Sequence, residues 1–293
     1  MEECLVHNME SIMKTSIKQL CLILLLTVFI STTASAVEIF VWQHDNNLAV
    51  ADPVIGGNLT ATQAVTRTLD AEDIDYTLNR QLPDNLAEYD VVITCLSFYC
   101  PGWGGGTPAS RIDSNDEDIL IAYLEANRGL YIEGNDWCAD HRNEDIFPYF
   151  NIEFEGFSAD NAVRTLDSDE ECTFGERAFG YQTGNYAANR PDHVSPGECA
   201  ETILTCNAGN VRGVFHDARA YRTYAQCVSF VGMNNSRDFN RAEFLIDIIN
   251  ELAGYDGRIS GQVLNNMTGE PVEGARVEVM GCNLIAITDE EGM

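Results

Sequence analysis

The chain has 293 residues, with 46 Asp+Glu against 17 Lys+Arg, a formal net charge of −29 and a pI near 4.2. That balance argues against nucleic acid or an anionic membrane as partner, because both are held by clustered positive charge. An apolar fraction of 45% with 9% aromatics is that of a chain that buries a core, and the length allows one large domain or two.

The first element is an export signal. Leu20–Ile30 reads LCLILLLTVFI, without a charge. Lys14 and Lys18 precede it, and the small residues Thr32-Thr-Ala-Ser-Ala36 follow. A basic segment, a short apolar core and an A-x-A exit predict a secretory signal peptide over residues 1–36, cleaved after Ala36. The apolar run is short for a membrane span, which needs about 20 residues. Cys21 has no small-residue lipobox around it. The first twelve residues, MEECLVHNMESI, are acidic and suit no signal peptide, so translation is expected to start at Met13. The protein is expected to be secreted or at the cell surface, with no membrane span after cleavage.

Cleavage removes three of the 46 acids and two of the 17 bases, leaving 43 and 15. Every remaining base is Arg. Such a surface repels itself at low ionic strength. A saline habitat is one explanation. A GC-rich genome with an ordinary acidic exported protein is the other. Eight cysteines remain: Cys95, Cys100, Cys138, Cys172, Cys199, Cys206, Cys227 and Cys282. An even number in an exported chain favours disulfides, and eight allow about 105 pairings. Cys199 and Cys206 flank an expected turn and form the reasonable local pair. The tight spacing of a zinc site is absent, and Cys138-Ala-Asp-His141 is the nearest approach to one. No metal is expected.

Val37–Gln43 (VEIFVWQ) reads as a continuous apolar strand. Thr60–Leu69 reads as a helix with a Thr cap, and Ile74–Leu78 as a short strand. Asp90–Phe98 (DVVITCLSF) is apolar on both faces, as in a buried parallel strand. Ser114-Asn-Asp-Glu117 reads as a capping box that opens a helix through Asn127. Gly129 is expected to stop that helix. Leu130–Glu133 (LYIE) is the next strand and ends at Gly134-Asn-Asp136. This alternation predicts βαβ units: an α/β, flavodoxin-like parallel sheet flanked by helices, over residues 37–254. Residues 142–237 are less regular. Ala200–Cys206, Val211–His216 and a long Tyr221–Met233 read as strands. Asp238–Leu252 closes the domain as a helix, ended by Gly254.

No catalytic, cofactor-binding or metal constellation emerges. Cys95 follows a buried strand, but Ile93-Thr-Cys-Leu-Ser97 lacks the glycines of a nucleophile elbow. His193 and His216 stand isolated. Gly102–Gly106 (GWGGG) lacks the lysine of a P-loop. Asp113–Asp118 lacks the Gly and terminal Glu of a calcium loop and is expected to cap a helix. Gly134-Asn-Asp136-Trp137 ends a strand where α/β sheets bind ligands, so it is the best place for a pocket. No cofactor is expected.

From Gly257 the texture is all-β: RISGQVLN, a turn at Met267-Thr-Gly-Glu-Pro271, ARVEVMG, and a strand into Thr288-Asp-Glu-Glu-Gly292. Gly261, Val263, Thr268, Gly269, Pro271, Val272, Gly274, Ala275, Val277, Val279, Thr288, Asp289 and Gly292 fall in a pattern that resembles the carboxypeptidase regulatory-like domain. That resemblance implies a small transthyretin-like sandwich with a carbohydrate-binding-like fold over residues 258–293. It covers only the first half of that domain, since the family pattern continues with further strands. Three strands cannot close a sandwich, so a truncated product or a fragment of a longer protein is expected. Residues 37–254 more weakly resemble the flavodoxin-like or glutamine-amidotransferase-like modules of large secreted bacterial proteins.

These resemblances imply a non-catalytic module of a secreted or cell-surface multidomain bacterial protein, a scaffold or interaction unit with an extracellular carbohydrate or protein partner. The alternative is a fragment of an extracellular hydrolase or peptidase. That reading needs a zinc set of H-x-x-E with a distant His, and no such set is expected in this chain.

Overall fold

The computed structural model describes residues 37–45, 48–96, 111–158, 163–182 and 191–254, then 263, 265, 270–272, 274–278 and 285–288. The expected signal peptide, the Met13 start, Gly102–Gly106, Cys100 and Cys282 lie outside the described residues.

β1 (Ile39–Gln43) opens the chain, and β2 (Val50–Ala51) pairs with β3 (Asn58–Leu59). Then come α1 (Ala61–Ala71), β4 (Thr77–Asn79), β5 (Val91–Cys95), α2 (Ser114–Glu125) and β6 (Gly129–Glu133). An excursion follows through the one-turn helix α3 (Trp137–His141), β7 (Ile152–Phe157), β8 (Thr165–Ser168), β9 (Arg177–Tyr181), β10 (Asp192–Pro196), β11 (Ala200–Cys206) and β12 (Val211–Asp217). The chain returns through β13 (Arg222–Gln226), β14 (Met233–Asn234) and α4 (Arg241–Leu252).

The protein is mixed α/β. β4, β1, β5, β6 and β13 lie side by side in that order, every neighbour parallel. Numbered along the chain, these five strands run 2-1-3-4-5, the flavodoxin order. The sheet continues past β13 as an antiparallel half, β12, β11, β8, β9 and β14, with β10 on β12 and β7 on β10. The irregular stretch of the sequence is this half.

Alternation along the parallel strands fills two cores. Ile39, Val41, Val91, Ile93, Tyr131 and Tyr224 face α1 and α4. Phe40, Trp42, Val92, Leu130, Ile132 and Ala225 face α2. A sheet covered on both faces needs strands apolar at every position, which is why DVVITC carries no polar alternation.

Local chemistry sets the element ends. Thr60 caps α1 as expected: its hydroxyl accepts from Gln63 N at 3.2 Å, and Gln63 Oε1 accepts from Thr60 N at 3.1 Å. The expected box at Ser114–Glu117 is displaced by one residue. Asp113 is the cap, and its carboxylate accepts from Asn115 N and Asp116 N. Glu117 instead accepts from Ile146 N at 2.8 Å. The residue that turns the chain after α2 is Asn127, at φ +63°, not Gly129. Gly129 begins β6, where a Cβ would stand 2.2 Å from the carbonyl oxygen of Leu252. Close packing of α4 on the sheet requires that glycine. The long strand expected over Tyr221–Met233 breaks after Gln226 into a 3-10 turn at Phe230–Gly232.

No two of the six described cysteines are joined to each other by a disulfide. Cys199 and Cys206 stand at the two ends of β11, about 20 Å apart at the rise of an extended strand, so the expected local pair is not in reach. A strand, not a turn, lies between them.

In the C-terminal segment β15 (Arg276–Glu278) runs antiparallel to β16 (Ile285–Ile287). Gly274 takes φ +73°, as a turn glycine should. Thr288 is buried; its hydroxyl accepts from Ala275 N at 2.9 Å and donates to Val272 O at 2.5 Å.

Candidate functional site at the carboxyl edge of the sheet

In an open α/β sheet, ligands bind beyond the carboxyl ends of the strands, where the strand order reverses. Here that point lies between β1 and β5. Asp45 follows β1 and is buried. Its carboxylate accepts from Thr62 N, in the first turn of α1, at 3.0 Å. A helix N-terminus attracts an anion through its free N–H groups and dipole. The chain's own carboxylate holds this one.

One row of the sheet then crosses the edge. Gln43 lies opposite Cys95, Cys95 opposite Glu133, and Glu133 opposite Gln226. Cys95 and Glu133 are 0% exposed, and Gln226 is 1%. The last position of four parallel strands is where such sheets carry chemistry; in this protein three of them are closed, and Gln43 is half-buried.

The Glu133 carboxylate accepts from Phe230 N at 2.6 Å, Ser229 Oγ at 2.9 Å and the Tyr131 hydroxyl at 3.0 Å. Burial pushes it up to about 7, against the opposing pull of those donors. Ser229 N donates to the Tyr181 hydroxyl at 3.1 Å. Gln226 accepts from the Tyr224 hydroxyl at 3.0 Å and donates to Val228 O at 2.8 Å. Together these groups tie β6, β13 and the turn at Phe230–Gly232 into one polar knot. Burial, then the nearby Glu133 and Asp45, push the Cys95 thiol well up. The nucleophile of cysteine chemistry is the thiolate, and this setting opposes it. Cys95 is a packed strand residue, in keeping with its missing glycines.

The expected pocket at Gly134-Asn-Asp136-Trp137 is occupied by the protein itself. Gly134 N donates to Gln226 O, and Asn135 O accepts from Asp192 N at 2.6 Å. The Trp137 indole donates to Gln226 O at 3.2 Å and meets the Phe150 ring edge-on at 5.0 Å. Asp192, at the start of β10, accepts from Ala139 N at 2.8 Å, and burial pushes its carboxyl up to about 8. Arg212 donates to the carbonyls of Pro191 and Asp192 and to Ser158 Oγ.

His141 and Glu144 do stand at H-x-x-E spacing, contrary to the expectation that the chain has none. The geometry makes no ligand of the histidine. Its Nδ1 donates to Trp137 O at 2.8 Å, and its Nε2 accepts from Ile112 N at 3.2 Å. Both ring nitrogens are used, the ring is fully buried, and burial lowers its pKa. Glu144 pairs with Arg111. Among the described residues no three His, Cys, Asp or Glu gather as a metal would need. His216 binds the Cys199 carbonyl through Nδ1 at 3.0 Å, and His193 lies over Gly156 on β7. They sit on β12 and β10 and do not meet Cys95. The Asp113–Asp118 cluster caps α2, as expected.

Glu133, Asp192 and Ser229 carry no motif. The one signal in the sequence is an acid that ends an otherwise apolar strand, LYIE, where burial forces it to find donors.

No protein-family model matches the chain, and no curated protein matches it. Solved structures similar to it include a cytoplasmic protein from Salmonella typhimurium, at 14% identity and TM-score 0.47, covering 74% of this chain and 98% of that one. An exo-β-1,4-mannosidase from Opitutaceae bacterium strain TAV5 aligns at 12% identity and TM-score 0.41 over 76% of this chain, which spans 36% of the mannosidase. A glutamine amidotransferase from Thermotoga maritima aligns at 9% identity and TM-score 0.43, over 75% of this chain and 86% of that one. The strand order carries the fold assignment without them.

Proposed function

We propose that residues 37–254 are a non-catalytic module of an exported, acidic protein, a scaffold or interaction unit, with a segment related to the carboxypeptidase regulatory-like domain following at 258–293. One observation supports this reading: Cys95, Glu133 and Gln226 at the carboxyl edge are buried, and the two ionisable groups among them are hydrogen-bonded or neutral inside the fold. A general base or nucleophile must reach a substrate atom within hydrogen-bond distance. A fully buried group whose hydrogen bonds go to its own chain does not. The negative surface favours a protein partner with a basic face, or a neutral glycan, over any polyanion.

The test is native-state alkylation with iodoacetamide, followed residue by residue. Cys95 is expected to label only after denaturation. Fast labelling of Cys95 in the folded protein would overturn the closed-edge reading. Binding of the folded chain to a glycan array would make it a carbohydrate binder, and binding to a basic protein surface an interaction unit.

A further inference from the structure

Cys138 and Cys227 come from positions 89 residues apart, yet their sulfurs meet at 3.4 Å. Both side chains are 0% exposed. Cys138 is the second residue of α3, and Cys227 directly follows β13. Anchors flank each of them. Trp137 Nε1 donates to Gln226 O at 3.2 Å, Ala139 N to the Asp192 carboxylate at 2.8 Å, and Cys227 N to Arg212 O at 2.7 Å. Both segments are therefore held on either side of the sulfur contact. A disulfide requires about 2.05 Å between sulfurs, so closure asks for about 1.4 Å of movement, within the range of small side-chain rotations. Among the described residues no third His, Cys, Asp or Glu gathers with these two cysteines as zinc would need.

We propose that Cys138 and Cys227 close into a disulfide that fastens α3 and the start of the antiparallel excursion to the end of β13. The step is thiol–disulfide exchange with a small-molecule disulfide, for which glutathione disulfide serves in solution. One protein thiolate attacks it and releases one glutathione thiol; the second displaces the other and completes the bridge. The protein loses two hydrogens, and the oxidant gains them as two thiols. Both sulfurs are buried, so exchange takes place before the fold closes or during opening, and the closed bridge resists reductant. This inference goes beyond the module reading and does not depend on it.

The full chain is refolded from the reduced state with glutathione disulfide, alkylated, digested without reductant and mapped by mass spectrometry. The expected result is a linked peptide joining Cys138 to Cys227, which separates on reduction. Recovery of both as alkylated thiols from the folded protein, or either bridged to another cysteine, overturns the proposal. A second measurement uses the variant C138A/C227A. Dithiothreitol added before refolding is expected to lower the Tm of the wild type by about 10 °C and to leave the variant unchanged. An equal shift in both overturns it.

Discussion

Asp52 Oδ2 lies 2.6 Å from Arg241 Nη2, across 189 residues of sequence. Both side chains are buried. The other Asp52 oxygen accepts from Val54 N at 2.8 Å and Ile55 N at 2.7 Å. Arg241 Nη1 donates to Phe230 O, Val231 O and Met233 O, with the guanidinium 4.8 Å from the Phe230 ring centre. The pair pins the first turn of α4 to the loop after β2 and to the turn at Phe230–Gly232. Removal of one partner leaves the other charge buried and uncompensated. Asp52→Ala is expected to lower stability by about 3–5 kcal/mol. The double variant D52A/R241M is expected to lose less than the sum of its single changes, as measured by denaturant unfolding in a double-mutant cycle.

Glu133 sets a pH dependence. Its folded pKa of about 7 stands above the ordinary 4.5, so the folded state holds the proton more tightly than the unfolded state. Its contribution is fully present below pH 4.5 and is lost as pH rises through 7, a change of about 3 kcal/mol. Gln keeps the shape and removes the titration. Relative to the wild type, Glu133→Gln is expected to gain stability steadily between pH 5 and pH 8 in urea unfolding. A stability difference that stays flat across that range would sink the assignment.

Gly129→Ala places a methyl group against the Leu252 carbonyl, which α4 cannot move without lifting from the sheet. A loss of about 1–3 kcal/mol is expected, visible as a lower Tm with little change in far-ultraviolet circular dichroism. Gly209→Ala is the contrasting change. Nothing lies near its Cβ, and its φ of +81° makes it costly through backbone strain alone.

The Cys138–Cys227 bridge spans a long loop. The chain-entropy model gives about 4–5 kcal/mol for a loop of this length. Refolding with and without glutathione disulfide, followed by urea unfolding, is expected to show that difference in midpoint. It should vanish in C138A/C227A.

By itself the sequence determined the α/β class, the strand cores that the structure shows at Ile39–Gln43, Val91–Cys95 and Gly129–Glu133, the Thr60 cap and the turn role of Gly274. Each depends on neighbours within a turn or two, where propensity, capping and periodicity act. It also held the absence of a nucleophile elbow around Cys95. Only the tertiary structure decided what meets across the sheet. The row from Gln43 to Gln226, the Asp52–Arg241 pair and the contact of Cys138 with Cys227 join residues tens to hundreds of positions apart. Their meeting follows from register, which is set by burying whole faces of the sheet at once. The same cause hid the antiparallel half, whose short strands find their order from partners rather than from their own pattern. It also moved Gly129 from a helix stop to a close approach, because the obstacle there is Leu252 on a helix that folds back from the far end of the domain.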